Sequence, residues 1–264
     1  MQALTKGQYS GKVAERMSDG GVISTITTYD VNKFNGTPHY HDNAHLSFVI
    51  SGACIEKKKD AYDLLPGKIT YYPAGEPHQV MRIVDKTQRI NLEIEQLFLD
   101  KNRITDQNIR NAVNNNPDGK LLMINIYREL MRCDNLSAIG VQMLLLKLIS
   151  GIGRYHTTRG NPKWTTIVLE VINDRWNETI SLEELSKAAN VHPVTISRNF
   201  ASYFSCNLST YMRKIKVLKA VELIGSSDFS LTDIAYSCGF ADQSHFVRAF
   251  KEFTGYLPTG YKRL

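Results

Sequence analysis

The sequence predicts a two-domain chain of the α+β class: an N-terminal β-barrel with a helical segment, then an all-α domain with two tandem helix-turn-helix units. Three observations predict this architecture. Short β-rich runs fill the N-terminal region, apolar residues recur at helical spacing in the middle, and the C-terminal region contains one helical pattern twice. We therefore expect domains at residues 1–100, 101–160 and 161–264.

Composition and length are those of an ordinary globular protein. The 264 residues suffice for two cores, and 42% hydrophobic with 22% charged residues argues against disorder. The net charge of +6 is a weak indication of an anionic partner. Four scattered cysteines, with no metal-binding or CxxC spacing, suit a reducing compartment: Cys54, Cys133, Cys206 and Cys238. With no signal-like or membrane-spanning apolar run, we expect a cytoplasmic protein.

The β-rich runs of the first region are residues 22–29, 46–50, 68–72 and 90–94. Clusters of Gly, Pro and Asn, such as FNGTP, LLPGK and PAGEP, separate these runs. Many short strands at close spacing favour an antiparallel barrel or sandwich.

The middle region has a helical period and a strongly apolar run, VQMLLLKLISGI. This run could pack on the barrel, form a subunit interface, or do both. We expect a dimerisation segment here. The polar stretch RGNPK, residues 159–163, is the predicted domain boundary.

An internal repeat is the strongest signal in the sequence. SLEELSKAANV, beginning at Ser181, matches SLTDIAYSCGF, beginning at Ser230. Ser181 with Glu184, and Ser230 with Asp233, predict capping boxes that start the first helix of each copy. The helix of the second copy is expected to end near Gly239, whose freedom to adopt positive φ suits a C-cap.

The second helix of each copy starts at a different kind of residue. Asp242 is a good N-cap in the second copy, whereas His192 is a poor one in the first, although Pro193 follows at the favoured first position. Buried faces are expected at Phe200 and Phe250 and their helical neighbours.

The outward faces of these helices carry Thr195, Arg198, Gln243, Ser244 and Arg248. Arginine can pair with guanine and glutamine with adenine in the major groove of DNA. An ordinary solvated helix face is the alternative, but two copies that both place Arg two residues before Phe favour base reading. Between them, residues 210–224 predict a continuous helix with four cations, of which one or two could contact phosphate: Arg213, Lys214, Lys216 and Lys219.

The stretch DIAYSCGFADQSHFVRAFKEFTGYLPTGYKR, residues 233–263, resembles the signature of the AraC/XylS transcription regulators. It departs from that pattern at Leu257, and the first copy departs at His192. The resemblance implies a sequence-specific DNA-binding regulator whose partners are double-stranded DNA, a small-molecule effector, a second copy of the chain and RNA polymerase. It also implies DNA-facing positions at Val194, Ser197, Arg198, Gln243, Ser244 and Arg248.

The N-terminal region resembles a cupin in two motifs, HYHDNAHLSFVISG and GKITYYPAGEPH. The first motif has His45 where metal-binding cupins usually carry Glu. His39 and His41 share one face of a strand because their spacing is two, and His45 and His78 are expected close by. Four imidazoles would suit zinc, copper, iron or nickel, but they could equally line a pocket for an organic effector.

Two functions from different classes remain open at this point. The favoured one is a ligand-controlled transcription regulator without enzymatic activity. The alternative is a metal-dependent cupin enzyme, such as a dioxygenase or isomerase, with a helical partner-binding tail.

Overall fold

The computed structural model describes residues 1–34, 36–151 and 162–264. They fall into two compact units, of residues 1–150 and residues 151–263. The first is rich in antiparallel β-structure and the second is helical, so the predicted α+β two-domain class is confirmed. The predicted boundary at residues 159–163 lies largely outside the described residues, and the division into three regions stays a prediction.

The described part of the first unit contains ten strands, four of which coincide with the predicted runs: β1 Gln2–Leu4, β2 Lys12–Asp19, β3 Val22–Thr28, β4 His39–His41, β5 Ala44–Ser51, β6 Cys54–Lys57, β7 Ala61–Leu64, β8 Ile69–Tyr72, β9 Gln79–Ile83 and β10 Gln88–Ile94. They form an antiparallel sheet of order β2-β3-β10-β5-β8, a second of order β7-β6-β9, and a parallel pair, β1-β4.

Four helices follow: α1 Gln96–Lys101, α2 Asp106–Asn115, α3 Gly119–Arg132 and α4 Ser137–Ser150. Three of them pack on the larger sheet, α2 against β8 and both α3 and α4 against β2. Packing on the strands, one of the two expected roles of this segment, is therefore present. The helix α4 buries Val141, Leu145 and Leu148, whereas Ile139 and Met143 are exposed.

The two faces of the larger sheet bury different side chains. Along β10 polar and apolar residues alternate, and all are buried: Arg89, Ile90, Asn91, Leu92, Glu93 and Ile94. Residues paired directly across strands project to the same face. His45 of β5 pairs with both Glu93 and Tyr72, so these residues share the polar face. This unit therefore has a polar interior on one side of the sheet.

The second unit contains α5 Lys163–Asp174, α6 Leu182–Ala189, α7 Pro193–Phe204, α8 Leu208–Ser226, α9 Leu231–Ser237, α10 Gln243–Thr254 and α11 Pro258–Tyr261. The pairs α6–α7 and α9–α10 are the two helix-turn-helix units, and α8 joins them. Trp164, Leu185, Ile196 and Phe200 belong to the core of the first pair. No helix among the described residues is long and apolar enough to cross a membrane.

The predicted caps are present. Ser181–Glu184 and Ser230–Asp233 form reciprocal capping boxes, and the Asp242 carboxylate accepts from the backbone N–H of His245 at 2.7 Å. His192, the expected poor N-cap, does make a capping contact. Its Nδ1 accepts a 3.2 Å hydrogen bond from the backbone N–H of Val194, because an imidazole nitrogen can replace a cap oxygen.

Candidate nucleic-acid interface and histidine site

The helix α7 separates its buried and exposed faces cleanly. Ile196, Phe200 and Phe204 enter the core, because their spacing of four places them on one face. At the opposite face Val194, Ser197 and Arg198 are exposed and Thr195 is half-buried.

The helix α10 repeats this arrangement. Phe246 and Phe250 are buried, whereas Gln243, Ser244 and Arg248 are exposed. Every reading candidate except the half-buried Thr195 is therefore solvent-exposed, as contact with a base edge requires. The roles of these side chains stay predictions.

The helix α8 carries fewer available cations than its sequence suggests. Lys214 and Lys216 are buried, which leaves Arg213 and Lys219 as candidates for the one or two expected phosphate contacts. Arg213 pairs with Glu252 of α10 at 3.0 Å, and Lys219 pairs with Glu222 of its own helix at 3.3 Å. The Arg213 pair joins α8 to α10, which identifies a structural role for this cation.

Comparison with known proteins identifies the helical unit. Residues 185–264 match the family model described as "Helix-turn-helix domain". The HTH-type transcriptional regulator GbdR of Pseudomonas aeruginosa is 31% identical over 97 residues, which are 37% of this chain and 26% of GbdR. The HTH-type transcriptional activator RhaS of Escherichia fergusonii is 31% identical over 87 residues, or 33% of this chain and 31% of RhaS. The C-terminal domain is an AraC-type helix-turn-helix domain.

These matches cover only part of the relatives. The chain spans about a quarter to a third of the length of these curated relatives. A solved structure of ToxT from Vibrio cholerae aligns with 92% of this chain and 98% of its own, at 12% identity and a TM-score of 0.38.

The first unit holds a second candidate site, made of histidines. The possible ligand nitrogens of His39, His41 and His78 all lie within 4.8 Å of one another, and the three residues are buried. The β4 strand supplies His39 and His41. The backbone of His78 pairs with that of His39 through two hydrogen bonds of 2.9 Å. His45 lies beside the group, its ring centroid 4.3 Å from that of His41, but it is not one of the three.

Backbone carbonyls fix the tautomer of two of these rings. Nδ1 of His39 lies 2.9 Å from the carbonyl oxygen of Thr37, and Nδ1 of His78 lies 3.1 Å from that of Glu76. A carbonyl oxygen can only accept, so Nδ1 carries the hydrogen in both rings and Nε2 keeps its lone pair. Metal-binding histidines are oriented in the same way. These three residues therefore fit a transition metal ion.

Burial keeps His41 and His78 neutral. Burial first, and then the neighbouring His78, His39 and Arg89, lower the pKa of His41 to about 3. Burial is also the main cause that lowers the pKa of His78 to about 4, although Glu56 acts in the opposite direction. Neutral imidazole is the form that binds metal.

A buried polar network that the sequence analysis did not identify adjoins the histidines. Arg89 of β10 and Glu56 of β6 are both buried, with Nη1 and Oε1 3.6 Å apart. The Tyr72 hydroxyl accepts from Arg89 at 3.2 Å and donates to Glu56. The Tyr72 ring stacks on His45 at 4.4 Å. The alternation of polar and apolar residues in QRINLEI was the available signal.

Proposed function

We propose that the chain is a transcription regulator: the AraC-type domain reads double-stranded DNA, and a small-molecule effector bound in the first unit changes its affinity. The observation that supports DNA reading most directly is the paired exposure of Arg198 and Arg248. They occupy equivalent positions on the second helices of the two helix-turn-helix units.

Base recognition follows from the chemistry of the exposed positions. Arg198 and Arg248 can each donate two hydrogen bonds to guanine, Gln243 can pair with adenine, and Val194 can contact a thymine methyl group. Tandem reading helices about 34 Å apart would enter successive major grooves on one face of the duplex. Thr195, Ser197 and Ser244 then supply adaptable polar contacts.

The proposed effector site is the polar interior around His39, His41, His45 and His78. An effector changes DNA affinity only if it binds one arrangement of the protein more tightly than another. A divalent transition metal ion at His39, His41 and His78 is part of this proposal. The ion would supply a positive charge and open coordination positions for an effector.

A second copy of the chain is the proposed partner of α3 and α4. Four large apolar side chains are more than half exposed, at the end of α3, just before α4 and on α4: Met131, Leu136, Ile139 and Met143. Ile139 and Met143 are four residues apart and share one face of α4, and Leu136 immediately precedes that helix. Covering this face in a homodimer would remove it from water.

The test begins by selecting duplexes from a random pool with the purified full chain, then measuring affinity by fluorescence anisotropy. Arg248→Ala should weaken binding to the selected site by about 1–3 kcal/mol and relax the preference at one base pair. Lys251→Ala, an exposed cation on the same helix, is the matched control and should leave the sequence preference unchanged. Equal loss from Arg248→Ala on every sequence would contradict its base-reading role.

The histidine cluster keeps the metal-dependent enzyme as the alternative, and one measurement separates the two. Metal-stripped protein that still binds its selected duplex excludes the view that the helical unit serves only as a tail of an enzyme. Metal-dependent turnover without duplex binding would support the enzyme instead.

A further inference from the structure

Unpartnered polar groups converge beside the histidine cluster. Nδ1 of His41, Nδ1 of His45 and the hydroxyl of Tyr9 are buried, and none of the three has a hydrogen-bond partner among the residues that the structure describes. The ring centroid of Tyr9 lies 5.0 Å from that of His41 and 5.9 Å from that of His45. The Tyr9 hydroxyl also faces Thr25, but without a hydrogen bond of normal geometry.

Such a group of atoms points to a ligand. A buried polar atom without a partner costs about 1–3 kcal/mol, so several in one place are expected only where something else satisfies them. The neighbouring groups are already engaged. His39 and His78 are bonded to carbonyl oxygens, and Tyr72 is held by Arg89 and Glu56.

The unpartnered groups favour a ligand that accepts hydrogen bonds, because a hydroxyl and imidazole nitrogens can each donate. The buried cation Arg89 donates to Tyr72, whose ring stacks on His45, so a positive charge lies close to the site. Two acids lie nearby, but each is engaged. Glu93 accepts from the backbone N–H of Gly7 at 2.7 Å and from Asn43 at 2.8 Å. Glu56 is paired with Arg89.

We propose that a small carboxylate binds in this interior, with its head group at Tyr9, His41 and His45. The Tyr9 hydroxyl and the N–H of His45 would donate to the carboxylate oxygens, which gives charge-assisted hydrogen bonds. A carboxylate ligand would also explain why His45 stands where metal-binding cupins usually carry Glu, because a glutamate side chain would repel such a ligand. This inference names the effector class of the proposed regulator and rests on that function for its regulatory meaning.

The same site suits a metal-loaded protein. Three neutral histidines leave the charge of a divalent ion uncompensated in a buried environment, and an anionic ligand would reduce that cost. The carboxylate site can therefore be tested in the metal-stripped and in the metal-loaded form.

The experiment uses the full chain with isotope-labelled histidines, observed by NMR in metal-stripped and zinc-loaded forms. Acetate is the probe and acetamide its neutral control. Acetate should shift the Nδ1 resonances of His41 and His45 saturably, whereas acetamide should not. Tyr9→Phe and His45→Phe should each weaken acetate binding about tenfold or more, since each removes one charge-assisted bond. Tyr127→Phe, at a buried tyrosine on α3, should leave it unchanged.

Two outcomes would overturn the proposal. If acetate and acetamide shift the Nδ1 resonances alike, or if neither shifts them, the site does not select a carboxylate. If Tyr9→Phe and Tyr127→Phe bind acetate equally well, the head group lies elsewhere. Because Tyr9→Phe removes only one oxygen, this variant is sufficient for the test even if His45→Phe does not fold. The effect of acetate on DNA binding is tested separately. If acetate binds as described but leaves duplex affinity unchanged, the proposed regulatory function is contradicted and the binding site is not.

Discussion

Gly239 packs directly against the backbone of Asn177: a Cβ at Gly239 would stand 1.6 Å from the carbonyl oxygen of Asn177. The turn between α9 and α10 therefore touches the segment that leads into α6. Nζ of Lys216 on α8 donates a 2.7 Å hydrogen bond to the carbonyl oxygen of Gly239. Three segments thus meet at one glycine, and the relative position of the two reading helices depends on this contact as well as on α8.

Gly239→Ala should destabilise the AraC-type domain by about 2 kcal/mol or more. A φ of +71° already costs a residue with a Cβ about 1–2 kcal/mol, and the clash with Asn177 adds to it. Urea denaturation measures the loss of stability. Duplex affinity should fall as well, because the second helix-turn-helix unit must move. Gly260→Ala is the control, since a Cβ there meets nothing within 4 Å. Similar losses in both variants would show that the contact is unimportant.

Glu184 should make the stability of the second unit depend on pH under acidic conditions. The backbone N–H of Ser181, then Arg175 and the Ser181 hydroxyl, lower the pKa of Glu184 to about 2 from 4.5. A carboxyl group with a depressed folded-state pKa contributes stability above its unfolded pKa, and this contribution is lost as pH falls through the folded pKa. Between pH 4.5 and 2 the wild type should therefore lose stability relative to Glu184→Gln.

Urea denaturation at a series of pH values measures this difference. Glu183→Gln, an exposed neighbour in the same first helical turn, is the control. A wild type that loses no more stability than Glu184→Gln on acidification would contradict the capping role of the charge.

The helical unit was predictable because its signals are local. Ser181 and Glu184, like Ser230 and Asp233, are three residues apart, and the repeat doubled the strength of each observation. The burial of Lys214 and Lys216 was not predictable, because it depends on how α8 packs against both helix pairs.

The histidine site was predictable only in part. The spacing of His39 and His41 placed them together, and the cupin-like motif added His78. The sequence alone could not show that His45 lies outside the group of three. Its position depends on the register between β5 and β8 and on stacking with Tyr72. Tyr9 comes from the loop before β2, so nothing in the motifs pointed to it.

His192→Ser should stabilise the AraC-type domain modestly. Serine is a preferred N-cap, whereas His192 accepts only through Nδ1, at 3.2 Å from the Val194 nitrogen. The gain should be a few tenths of a kcal/mol up to about 1 kcal/mol in urea denaturation. His192→Ala should instead lose stability. A serine variant no more stable than the alanine variant would show that this cap is unimportant.

Zinc should stabilise the first unit through three histidines and not four. Excess zinc at about 100 times its dissociation constant should add roughly 2.7 kcal/mol to the unfolding free energy of the apo protein. His39→Phe and His78→Phe should abolish this gain, because each removes one of the three clustered ligands. His45→Phe should keep it, since its ring stacks on Tyr72 outside that group. Thermal unfolding with and without zinc measures all four proteins. If His45→Phe loses the zinc effect as fully as His39→Phe does, the metal site contains four histidines and the assignment of His45 to the carboxylate alone is wrong.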